Sequence, residues 1–190
     1  GVGLHFDSGC SCNAITSNLF TDISSSALMI GGVSEADAHP VDSQRKVRNT
    51  TIANNLINTV AVEYVDAAGI LIGFTRKTTI SHNTIINVPW SGIAMGWGWG
   101  LLDKGSFPGL PNAVSGQWGT FDSLTPNFEC TIESNRIENF LNVLWDGGSI
   151  YTTGRQGPDF SNGLFIQHNV ASQKRPSGGG NTFYTVGGSR

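Results

Sequence analysis

Apolar and polar residues alternate along this chain in short runs of period two, the spacing of a β-strand that buries one face, and the runs recur. The fullest run is residues 78–100, TTISHNTIINVPWSGIAMGWGWG, in which Ile80, Asn83, Ile85, Ile93 and Met95 make a unit that returns, wholly or in part, at four other places. Those places are Asn13–Phe20 with Ser26–Gly31, Thr51–Ile57 with Ala68–Gly73, Thr131–Ile137 with Gly148–Thr152, and a weaker Phe165–Val170 with Asn181–Thr185. Each copy reads as two short strands separated by a turn, one coil of parallel β-structure. A repeat of this kind cannot bury its apolar face alone, so copies must stack. The expected fold is all-β: a right-handed single-stranded parallel β-helix, a solenoid with long loop insertions.

One asparagine falls at the same place in every copy: Asn18, Asn55, Asn83, Asn135 and Asn169, each with Ile three residues before it. An Asn at a sharp corner tolerates left-handed dihedrals, and its amide can bond its counterpart in the next coil as a ladder. The spacings between these asparagines are 37, 28, 52 and 34 residues. A bare coil needs about two dozen. The surplus must leave the stack as loops, chiefly residues 32–48 and residues 101–127. Insertions of this type emerge on the binding face of a solenoid, so the longer loop is the expected wall of a site. The chain is read as a single β-helix domain over residues 1–190. It opens on Gly1 without an initiator Met or signal peptide and stops soon after the strand-like Thr182–Thr185, so it is expected to be part of a longer β-helix.

Composition narrows the partners. Charged residues are 13% of the chain, well under the usual share of about 25%. The net charge is −3 and no stripe of Lys or Arg forms, which argues against a nucleic-acid partner. No apolar stretch approaches the roughly 20 residues of a membrane span. Of the three cysteines, Cys10 and Cys12 lie in the first copy and Cys130 in the fourth, about 14 Å away across three layers, so free buried thiols are expected. Asn49-Thr50-Thr51 is a lone glycosylation sequon.

The candidate chemistry gathers on aspartates. Aligning the copies on their second strands sets Asp66 over Asp146 with one coil between them, their backbones about 9 to 10 Å apart. That is near the carboxylate separation of about 6.5 to 9.5 Å used by inverting glycosidases. Asp103, just after Trp97-Gly98-Trp99-Gly100, would leave the intervening coil on the same side, so three acids are expected to converge; Asp122 reads as a loop turn. All five tryptophans, Trp90, Trp97, Trp99, Trp118 and Trp145, fall in the third copy, the long loop or the lead-in to the fourth. Indole faces suit the C–H face of a sugar ring. Trp97, Trp99, Trp118 and Trp145, with Tyr151, therefore form the expected binding set. His82 and His168 share one slot with Ser17, Asn54 and Ser134, a tolerant polar surface position. No Cys/His cluster has zinc spacing and no phosphate loop or nucleophile elbow is present, so neither metal nor cofactor is expected.

The combination of ISHNTIINVPWSGIAMGWGWG, an acid shortly afterwards, and WDGGSIYTTG resembles the parallel β-helix carbohydrate-active enzymes, and in particular the glycoside hydrolase family with α-L-fucosidase and xylanase members. The resemblance covers most of residues 50–190, and it implies Asp103 and Asp146 as a catalytic pair. The expectation is a glycosidase acting on a polysaccharide or glycan, secreted or periplasmic. Asp146, among tryptophans, would protonate the leaving oxygen, and Asp103 or Asp66 would activate water or attack the sugar. Two rivals remain. A polysaccharide lyase would draw on Lys104, Arg76 or Arg155 for proton abstraction. A non-catalytic glycan-binding or adhesin-like β-helix would bind saccharide without releasing reducing sugar.

Overall fold

The computed structural model describes residues 1–103, 121, 123–174 and 179–186. Its organising element is a corner. Ser17, Asn54, His82, Ser134 and His168 all take left-handed backbone angles, with φ between 54° and 60°. The ladder asparagine follows each of them. The single run read from the sequence is therefore broken into two strands on different sheets, and a coil holds three strands rather than two. In the third coil these are Thr75–Ser81, Thr84–Ile86 and Ile93–Met95. The slot shared by His82 and His168 is polar for a backbone reason: β-branched side chains are strained in this region. Replacing His82 by Val is expected to destabilise the fold by about 1–2 kcal/mol, and His82→Gly to stay within about 0.5 kcal/mol of the parent, as read by urea denaturation.

Three parallel sheets result, one of six strands and two of five, with strands stepping in threes along the chain, the pattern of a parallel β-helix. Register is continuous. Ile15, Ile52, Ile80, Ile132 and Ile166 pair in one column, and Leu28, Ile70, Ile93, Ile150 and Phe183 in another. Apart from the exposed Ile166 and Phe183 of the last coil, these columns are buried in one continuous core. Each fully buried aliphatic side chain in it contributes about 1.5–3 kcal/mol.

The asparagine ladder runs the length of the stack. Asn18 Nδ2 donates to Asn55 Oδ1, Asn55 to Asn83, Asn83 to Asn135 and Asn135 to Asn169, each at 3.0 Å. The same amides donate to a carbonyl of the preceding coil, as Asn83 Nδ2 does to Ile52 O at 2.9 Å. The shorter expected loop leaves the stack and ends earlier than expected, since Val47 and Arg48 already belong to the strand Val47–Ala53; it carries a short helix, Glu35–Ala38, capped by Ser34. Ala38 packs with Phe74, Leu102 and Phe121, and His39 bonds Leu102 O and Ser123 Oγ, so this loop lies against the described parts of the longer one. All three cysteines are free, but only Cys130 is buried; Cys10 is half-buried and Cys12 exposed, because the first coil has its corner on the surface. Burial pushes the Cys130 thiol up to about 11, which keeps it an inert core group.

Candidate functional site: a cleft on the outer face of the six-stranded sheet

The strands Leu28–Ile30, Ile70–Ile72, Ile93–Met95 and Ile150–Thr153 bury their first and third residues inward, so the second residue of each must face out. Those outward residues are Met29, Leu71, Ala94 and Tyr151, paired in one row. A solvated sheet face would be polar here. Instead Ala94 and Tyr151 are buried and pack with Ala68, Leu71, Trp90 and Tyr184 into a second apolar cluster outside the helix. This breach of the alternation was a signal in the sequence, and it went unread.

The cluster floors an open cleft of about 670 Å³. Trp90, Trp97, Trp99, Trp145, Asp66, Asp146, Tyr151 and Thr153 all line it. Trp97, Trp99 and Trp145 are 43%, 41% and 65% exposed, so their faces are open to a ligand rather than spent on packing. Trp90 is the exception. Its ring tilts against Tyr151 at 5.3 Å, and its indole N–H donates to Asp146 O at 3.2 Å. A Cβ on Gly147 would stand 2.5 Å from that indole nitrogen. The glycine beside Asp146 thus makes room for Trp90.

Asp66 and Asp146 both precede their strands by four residues, and those strands, Ile70–Ile72 and Ile150–Thr153, flank Ile93–Met95. The two strands that they precede are two rungs apart, about 9.6 Å. Both side chains are exposed in the cleft. The expectation that tryptophans bury Asp146 does not hold. Asp103 lies elsewhere: its Oδ2 accepts the Arg155 backbone N–H at 2.7 Å and its Oδ1 the Thr125 hydroxyl at 3.5 Å. Arg155 follows the exit end of the strand Ile150–Thr153, whereas Asp146 precedes its entry end. That strand alone spans about 10 Å, so Asp66 and Asp146 line the cleft ahead of the entry ends of their strands, and Asp103 lies at the exit end, beside Gly154 and the turn that carries Trp97 and Trp99. Burial raises the Asp103 carboxyl above the ordinary carboxylate range, and the Arg155 N–H, the Arg155 charge, Thr125 and His39 oppose the rise.

The turn that carries Trp97 and Trp99 is tight. Gly98, Trp99 and Gly100 all have positive φ, of 80°, 50° and 87°. For Trp99 this left-handed backbone costs about 1–2 kcal/mol. What holds it is the Trp99 indole N–H, which donates to the Tyr151 hydroxyl at 3.1 Å, while the Trp97 and Trp99 rings meet at 5.9 Å. Gly96, which enters the turn at φ 91°, tolerates no side chain because a Cβ would overlap Thr153 O. Burial pushes the Tyr151 phenol above its ordinary range, Asp146 and Tyr184 add to the rise, and the Trp99 bond pulls the other way. Trp118, Asp122 and Lys104 lie outside the described residues.

A solved glycoside hydrolase shares this fold. The two superpose with a TM-score of 0.78 at 22% sequence identity, over 99% of this chain and 29% of that one. The chain therefore spans less than a third of the length of the glycoside hydrolase it matches, and at that identity the likeness bears on architecture. No protein-family model and no curated protein sequence matches the chain. The cleft itself must therefore carry the functional argument. Among the described residues no Lys, Arg or His lines it, and no group of three His, Cys, Asp or Glu residues is placed to hold a metal ion. Arg76, a lyase candidate, is paired with Glu129 and lies over the Phe128 ring; Arg155 donates to Gly157 O.

Proposed function

We propose that the chain forms the sugar-binding and hydrolytic cleft of a glycosidase acting outside the cytoplasm on a polysaccharide or glycan. The observation that carries this reading is the pairing of two carboxylates, Asp66 and Asp146, with exposed indole faces in one cleft. The sugar stacks on Trp97, Trp99 and Trp145 over the apolar floor. One carboxyl gives its proton to the leaving oxygen and the other activates water or attacks the sugar. Elimination on a uronate would need a base and cations beside the sugar, and the described lining offers acids instead.

A second assignment of the pair is favoured by one observation, the raised carboxyl of Asp103, since a proton donor must hold its proton near neutral pH. Two single variants separate the assignments. Asp66→Asn is expected to lower kcat by about a hundredfold or more, and Asp103→Asn to leave kcat within about fivefold, measured by reducing-sugar release. The reverse order would transfer the role from Asp66 to Asp103. Saccharide binding without any release by the unsubstituted protein would instead leave a glycan-binding β-helix.

A further inference from the structure

We infer that the Tyr151 hydroxyl is the hydrogen-bond donor that orients the bound sugar, and that the Trp99 indole fixes the direction of its proton. This inference rests on the cleft being the sugar site. Of the outward row, Met29, Leu71, Ala94 and Tyr151 line the cleft, and Tyr151 is the member of these four that carries a polar group. Its ring cannot swing away. Trp90 packs at 5.3 Å on one side and Tyr184 at 5.4 Å, edge on, on the other. The phenol oxygen accepts the Trp99 indole N–H at 3.1 Å.

An indole nitrogen is a donor only, so Tyr151 is the acceptor in that bond and its own proton remains to be placed. Among the described residues no hydrogen-bond partner takes it. Tyr151 lines the cleft, so its proton can turn toward a ligand there. There a sugar hydroxyl or ring oxygen, stacked against the indoles, is the acceptor of matching chemistry. The strained turn is explained by the same contact. Trp99 occupies a left-handed backbone position between two glycines that do likewise, and this is what brings its nitrogen over the phenol. Trp99 thus serves twice, as a stacking face and as a positioning group.

The test is binding, made in the Asp146→Asn background so that the saccharide is not consumed. Cellohexaose, xylohexaose and mannohexaose are titrated against tryptophan fluorescence, and the tightest binder is carried forward. Tyr151→Phe, which removes only the oxygen, is expected to weaken binding about tenfold, the loss of one hydrogen bond. Trp99→Phe, which keeps a ring and removes the N–H, is expected to weaken it too, but to add little once Tyr151→Phe is present, because the two act through one proton. If the hexasaccharide binds and Tyr151→Phe holds it within twofold, or if the Trp99 and Tyr151 effects simply multiply, the inference is overturned while the glycosidase reading stands. If the unsubstituted protein binds a hexasaccharide but releases no reducing sugar, the glycosidase reading falls, and the tenfold loss in Tyr151→Phe still supports the donor role. If none of the three sugars binds the unsubstituted protein, both fall.

Discussion

Asp146→Asn is expected to cut turnover by about 10² to 10⁴-fold, the usual contribution of a positioned acid or base, while saccharide affinity stays within about threefold. The substitution is unusually clean at this position. Asp146 sits at φ 49°, a left-handed corner, and Asn is among the few side chains that accept such a backbone without strain. The bond from the Trp90 indole goes to the Asp146 main-chain oxygen, which the substitution keeps. Gly147 and Gly148 hold the turn as before, with the Gly148 N–H on Ser91 Oγ at 3.3 Å. What changes is the carboxylate alone: the amide can neither give nor take a proton. Loss of reducing-sugar release with fluorescence titration unchanged would place Asp146 among the reacting groups. Release near the parent rate would remove it from them, and with it the pairing with Asp66 across the third coil.

The architecture was legible because its signals are local and repeated. Five asparagines with an isoleucine three residues ahead cannot all be turn residues by accident, and the amides do bond in a column. The corner was misplaced by one residue. Propensity points to Asn as the left-handed residue, but tertiary structure gives that conformation to its predecessor and spends the Asn side chain on neighbouring coils. That Asp66 and Asp146 line one cleft was also readable, since they precede strands of one sheet by equal offsets. The place of Asp103 was not. Its position depends on where a non-repeating turn, Gly98–Gly100, releases the chain, and no coil-to-coil register carries that information. Nor was the role of Gly147 readable, because it depends on Trp90, a residue 57 positions earlier that meets it through the stack.

The ladder itself yields the largest expected effect on stability, and the size of the effect depends on position along it. Asn83 is 1% exposed. Its amide nitrogen donates to Ile52 O at 2.9 Å, Ser81 O at 3.1 Å and Asn135 Oδ1 at 3.0 Å, and its oxygen accepts both the backbone N–H and the Nδ2 of Asn55 at 3.0 Å. Asn83→Ala leaves the Asn55 donors facing a methyl group in a site too tight for ready hydration. Each stranded buried donor costs about 1–3 kcal/mol, so the substitution is expected to lower unfolding stability by about 3–5 kcal/mol, read as a fall in urea midpoint at constant slope. Asn18→Ala is the comparison. Asn18 is exposed at the end of the column and acts only as a donor, so water can replace what it loses, and the expected cost is about 1 kcal/mol or less. Equal losses from the two variants would show that the column is a by-product of stacking rather than a source of it. A loss concentrated at Asn83 would also bear on the cleft: the third coil is the spacer between the Asp66 and Asp146 edges, and a coil free to slip would spoil their separation before the chain unfolds. Activity in Asn83→Ala should therefore fall at urea concentrations where the core signal still reports a folded protein.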